Sequence, residues 1–169
     1  MTTDRLPSDA ALLAECNVDT YRASGPGGQK RNKTESAVRL RHRPSGLIVI
    51  AEESRSQPEN KTRALRRLRK AMALRLRRPV EPEGVPAEVQ ACIDKGGRLD
   101  VGQRDARYLP AVATALDLFV AYRGSVADTA RRLGLTTGNL SSFLTSDDDV
   151  FVEANRLRAT FGLRPLRRQ

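Results

Sequence analysis

No regular element can run through Ser24-Gly25-Pro26-Gly27-Gly28-Gln29-Lys30-Arg31-Asn32-Lys33, and this stretch decides how the rest of the chain must be arranged. Three glycines and one proline occupy the four positions from Gly25 to Gly28. A Gly-Gly pair reaches positive φ without steric cost and lets backbone approach another molecule closely, whereas Pro26 lacks an N–H and stiffens the turn. The chain then becomes polar and basic without apolar periodicity, which predicts an exposed loop that faces an anion. With almost no apolar anchor, residues 24–33 are expected to be mobile in isolation. Such a loop needs a rigid frame on either side.

The flanks supply one. Ser8 can cap a short helix through about Cys16, with Leu12 and Leu13 turned inward. Asn17 to Ala23 reads as a strand, with Val18 and Tyr21 among its apolar positions. Ser36 to Arg43 alternates, Ala37, Arg39 and Arg41 on one side against Val38 and Leu40 on the other. Pro44-Ser45-Gly46 is a turn, and Leu47 to Ala51 is a β-branched strand that completes a hairpin. Pro58 and Glu59 open a helix to about Arg78, with Ala64, Leu65, Leu68, Met72 and Leu76 on one face. Its other face carries Lys61, Arg63, Arg66, Arg67, Arg69, Lys70, Arg75, Arg77 and Arg78, and no acid lies between Lys61 and Arg78. A face of one sign repels itself, which favours phosphates lying against it.

Three prolines with Glu81, Glu83 and Gly84 make residues 79–90 a linker. The rest reads as helices: Tyr108 to Tyr122, Ser125 to Leu133 ended by Gly134, one opened by Thr136 or Thr137, and one from Asp147 to about Phe161. Ala130, Gly134, Leu140 and Phe143 fit the small, turn and core positions of a helix-turn-helix. The segment Thr137 to Phe143 carries no Lys or Arg, however, so DNA is not the expected partner. The expected fold is α+β: a small, mainly antiparallel sheet with one long basic helix over 1–78, the linker at 79–90, and a helical, helix-turn-helix-like module over 91–169.

Composition narrows function. A formal net charge of +10 points to a polyanionic partner, and most of the excess lies before residue 91. No apolar run reaches transmembrane length, and Asp4, Asp9 and Glu15 do not fit a signal peptide, so no membrane partner and a cytoplasmic location are expected. Two cysteines, Cys16 and Cys92, suit a reduced compartment. His42 is the only histidine, which argues against a histidine triad or a zinc site, so no metal or other cofactor is expected.

The window Val18 to Leu40, with Gly27-Gly28-Gln29 at its centre, resembles the catalytic domain of the class I peptide chain release factors and of the related stop-codon-independent ribosome-rescue hydrolases. The likeness continues in order through Arg43-Pro44-Ser45-Gly46-Leu47-Ile48-Val49 and Ser54-Arg55-Ser56-Gln57 to Asn60-Lys61, and covers roughly residues 15–78. It implies a peptidyl-tRNA hydrolase that cuts the ester joining the nascent peptide to the tRNA 3′ end in the ribosomal peptidyl-transferase centre. Gly27, Gly28 and Gln29 match the catalytic tripeptide. Gln29 cannot be a general base near neutral pH, but its N–H could stabilise developing negative charge while its side chain admits water. The family's glutamine is often N5-methylated, which makes Gln29 a candidate modification site and a glutamine methyltransferase a candidate partner. The expected RNA-binding residues are Lys30, Arg31, Asn32 and Lys33 beside the tripeptide, Arg55, Ser56, Gln57, Asn60 and Lys61 in a second cluster that also supports the loop, and Arg66, Arg67 and Lys70 on the helix.

The departures from the pattern matter. Lys30-Arg31 stands where His-Val is usual, and Pro26 where Ala is frequent. The sequence shows neither the helical domain that precedes Val18 in a full release factor nor the stop-codon-reading domain with its tripeptide. Nor does it show the long basic tail of the rescue hydrolases, only Arg164, Arg167 and Arg168. The expectation is therefore codon-independent release. A ribosome or rRNA binder without catalysis is the alternative, and a helix-turn-helix regulator comes after it.

Overall fold

The computed structural model describes residues 5–23 and 35–168. The tripeptide Gly27, Gly28 and Gln29, the neighbouring Lys30, Arg31, Asn32 and Lys33, and the expected mobility of the loop all fall outside the described residues. The chain divides into two compact units, Met1–Met72 and Ala73–Gln169.

In the first unit, helix α1 spans Asp9–Ala14 and strands β1, β2 and β3 span Cys16–Tyr21, Ala37–His42 and Ile48–Ala51. The strands form one antiparallel sheet in the order β1-β2-β3. Ser8 caps α1 by accepting from the Ala11 N–H at 3.3 Å. The helix stops two residues short of the expected end, and Cys16 opens β1 instead. Register places Val18 opposite Leu40 and Leu40 opposite Val49. The alternation of β2 holds for Val38, Leu40 and His42, which are buried, and for Arg39 and Arg41, which are exposed. Ala37 departs from it, being fully buried although it shares the arginines' parity. Val18 also departs, at 41% exposure on the edge strand.

Helix α2, Gln57–Arg75, starts two residues before Glu59 and ends three before Arg78. Ala64, Leu65, Leu68 and Met72 are its buried stripe, as the spacing predicts. Each buried leucine contributes roughly 1.5–3 kcal/mol relative to exposure, so Leu12, Leu40, Leu65 and Leu68 carry much of this small unit. The lone histidine is a staple. His42 is 3% exposed, its Nδ1 lies 2.6 Å from the Ser45 hydroxyl, and its Nε2 lies 2.8 Å from Glu15. Ser45 Oγ also accepts from the Leu47 N–H, so the three residues pin the β2–β3 turn to the end of α1.

The second unit is helical: α3 (Ala87–Gln90), α4 (Tyr108–Ala121), α5 (Val126–Leu133), α6 (Thr137–Ser146) and α7 (Asp148–Thr160). The proline-rich stretch is not a free spacer. Val89 is fully buried and Val80 and Val85 pack partly on the same core, while Glu81 to Gly84 are exposed. Helix α4 is buried on every side from Ala111 to Phe119, as a central helix wrapped by the others must be. Its buried Asp117 accepts from the Arg78 N–H at 3.1 Å and pairs with Arg77 at 3.3 Å, which explains why the chain leaves helical geometry before Arg77. Buried Glu153 on α7 holds Arg156 in two hydrogen bonds and lies 3.8 Å from Arg75.

The helix boundaries after residue 120 follow local chemistry. Ser125, Thr136 and Asp147 each accept an N–H of the following first turn, and Gly134 ends α5 at φ 67°, a conformation that favours glycine. Residues 134–136 therefore join α5 and α6 by a tight turn. On α6, Thr137, Gly138, Ser142 and Ser146 are exposed and uncharged. Asn139 is spent internally: its Oδ1 accepts from the Leu99 N–H at 2.9 Å and its Nδ2 donates to the Leu99 carbonyl.

Candidate functional site

The β1–β2 ladder ends at Tyr21 opposite Ala37, which places the described residues on either side of the glycine-rich segment at one end of the sheet. Tyr21 donates to Glu52 at 3.4 Å, and its hydroxyl pKa is raised, by burial first and by the Glu52 carboxylate second.

The second polar cluster sits beside these ends. Ser54 Oγ accepts from the Ser56 N–H and donates to Glu59, and Ser56 Oγ accepts from the Glu59 N–H, so serines cap the start of α2. Gln57 Nε2 donates to the Glu35 carbonyl at 2.8 Å. Asn60 is fully buried; its Nδ2 donates to the carbonyls of Ser36 at 2.7 Å and Ser54 at 2.8 Å, and its Oδ1 accepts from the Ser54 N–H at 3.0 Å. Asn60, expected among the RNA-binding residues, thus has no exposed surface, and its amide engages Ser36 and Ser54. Arg55 and Ser56 are exposed and Lys61 is half-buried.

The cations of α2 sort into two groups. Arg63 pairs with Glu59, Arg67 with Glu53, and Arg69 with Asp9. The lack of acid between Lys61 and Arg78 therefore misled, because acids on α1, before the helix and in its first turn answer three of its arginines. The Arg67 hydrogen bond holds the Glu53 carboxyl below its usual range, and Ser54 and then Arg63 do the same for Glu59. Arg67 also donates to the Ile50 carbonyl, which ties α2 to β3. Arg66 is exposed and has no ion pair or hydrogen bond among the described residues. Thr62 and Arg66 are exposed on one row of the helix, and Lys70, next on that row, is half-buried. The Arg63–Glu59 pair is local, but the partners of Arg67 and Arg69 lie 14 and 60 positions away, beyond the reach of sequence spacing.

The match to the RF-1 domain covers residues 12–96, half of the chain, and spans the sheet, the glycine-rich segment and α2. The chain belongs to the class I peptide chain release factor family. It is 34% identical over 140 residues to peptide chain release factor 1 of Gluconacetobacter diazotrophicus, covering 83% of this chain and 35% of that protein. Identity is 34% over 141 residues to peptide chain release factor 2 of Acidithiobacillus ferrooxidans, covering 83% of this chain and 34% of that one. With peptide chain release factor 2 of Neisseria meningitidis serogroup B it is 37% over 147 residues, covering 84% and 34%. This release-factor-family chain thus spans about a third of the length of the curated relatives it matches. Among its described residues no helix is long and apolar enough to cross a membrane.

Proposed function

We propose that this protein hydrolyses peptidyl-tRNA on the ribosome, and that it does so without reading a stop codon. One observation carries the first part: the family match over residues 12–96 takes in Gly27-Gly28-Gln29 together with the three strands and α2. Water adds to the ester carbonyl, the bond to the tRNA 3′ oxygen breaks, and the products are a peptide acid and a free 3′ hydroxyl. The Gln29 N–H stabilises the oxyanion and its side chain leaves space for water alone. Gly27 and Gly28 bring that backbone close to the terminal adenosine, and Gln29 is the position a glutamine methyltransferase would modify.

Lys30, Arg31, Lys33, Arg55, Lys61, Arg66 and Lys70 supply the attraction for rRNA, and Asn32 adds a neutral hydrogen-bonding contact among them. Arg67 joins them only by leaving Glu53. The codon-independent part rests on the second unit, whose exposed α6 side chains are neutral and whose Asn139 is already engaged, a surface unlike that of a nucleic-acid reader. The same observation disfavours a helix-turn-helix regulator.

The test is peptide release from ribosomes carrying peptidyl-tRNA and an empty A site, with and without a stop codon. Equal release on both supports the reading, and release confined to the stop codon contradicts its codon-independent part. Ribosome binding without release would leave a non-catalytic rRNA binder, with Lys30-Arg31 as the departure that spoils docking.

A further inference from the structure

Beyond the last ladder pair, Tyr21 opposite Ala37, no strand partner holds Glu35 and Ser36 among the described residues. Two side-chain amides take that place. Gln57 holds the Glu35 carbonyl at 2.8 Å and Asn60 the Ser36 carbonyl at 2.7 Å. Positions three apart share a helix face, so the first turn of α2 meets two successive carbonyls of the chain that leaves the glycine-rich segment.

The chemistry demands carboxamides. Asn60 gives two N–H donors to two carbonyls and accepts one N–H, all within a fully buried setting. A carboxylate there would offer no donor and would face two carbonyl oxygens. An apolar side chain would leave those carbonyls and the Ser54 N–H without partners. Neither Gln57 nor Asn60 carries charge, so neither adds to the long-range attraction for phosphate. Both instead fix where the chain rejoins the sheet.

We propose that Gln57 and Asn60 are positioning residues for release: they clamp Glu35 and Ser36, where the chain that follows Gln29 in sequence rejoins the sheet, and they do not hold RNA. The inference rests on the hydrolase reading above. A displacement of about 1 Å at a reacting group can cost on the order of a hundredfold in rate, so a loosened clamp reads out as lost turnover.

The experiment uses the full chain and measures release as a function of protein concentration on ribosomes with an empty A site. Gln57→Ala is the clean variant, because Gln57 is exposed and its loss leaves the core intact. The maximal rate should fall about tenfold with the half-saturating concentration unchanged, and Gln57→Glu should fall at least as far. Asn60→Ala should fall further if circular dichroism shows it folded. An unchanged maximal rate with a raised half-saturating concentration would make Gln57 an RNA contact and overturn the proposal, as would no change in either. Amide exchange in the isolated protein separates this from failure of the hydrolase reading. Exchange at Ser36, Ala37 and Val38 should quicken about tenfold in Gln57→Ala while Ile48 to Ala51 stay unchanged. Unaltered exchange at Ser36 to Val38 overturns the clamp even if the parent protein releases nothing.

Discussion

Asn60 on the first turn of α2 donates to the carbonyl of Ser36, 24 positions earlier, at 2.7 Å and out of reach of solvent. That bond joins the long helix to the chain just after the glycine-rich segment. Four expectations follow from this frame and from the helix that carries it.

The two groups of cations on α2 should behave differently. Arg66→Glu should weaken ribosome association and reduce the log–log salt slope by about 0.7–0.9, the value for one lost phosphate contact. Arg69→Glu, which breaks the Asp9 pair, should mainly lower stability. Binding measured over a range of salt, alongside thermal melting, checks both. Equal slopes for Arg66→Glu and the parent would leave this row of α2 merely solvated.

Glu53 should titrate below its ordinary value of 4.5, because Arg67 hydrogen-bonds its carboxylate. A depressed folded pKa means that this clasp contributes stability above the ordinary value and loses it as pH falls through the folded one. Arg67→Gln should bring the Glu53 titration back up, followed by carboxyl NMR. A Glu53 that titrates identically in both proteins would show that Arg67 is not its partner in solution.

Asp117 should be costly to remove. It is 4% exposed, and losing one partner of a buried pair leaves the other charge uncompensated, at about 3–5 kcal/mol. Urea unfolding of Asp117→Ala should show a loss of that order. A loss below about 1 kcal/mol would mean that Arg77 reaches water once Asp117 is gone.

Much of this frame was legible in the sequence because its determinants are local. Ser125, Gly134, Thr136 and Asp147 mark helix ends by chemistry that acts within one turn, and the alternation of Val38, Arg39, Leu40 and Arg41 fixes a strand with one buried face. What the sequence hid depends on contacts between distant positions. Asp9 and Glu53 neutralise arginines of α2 from outside it, Asp117 engages Arg77 and Arg78 just past its end, and Val89 tacks one point of a proline-rich stretch onto the core. Asn60 belongs with them. Its residue type fits an RNA contact as well as a buried clamp, and only burial separates the two.

The most direct test of the hydrolase account compares Gly28→Ala and Gln29→Ala in release from ribosomes with an empty A site. A Cβ at position 28 should displace the Gln29 N–H, and loss of one oxyanion donor costs about 10²–10³ in rate, or roughly 2.7–4 kcal/mol. Gln29→Ala keeps the N–H, so it should release faster than Gly28→Ala while admitting bulkier nucleophiles such as hydroxylamine. Both should bind ribosomes as the parent does, since no cation is changed. Release by bound Gly28→Ala at the parent's rate would contradict the account.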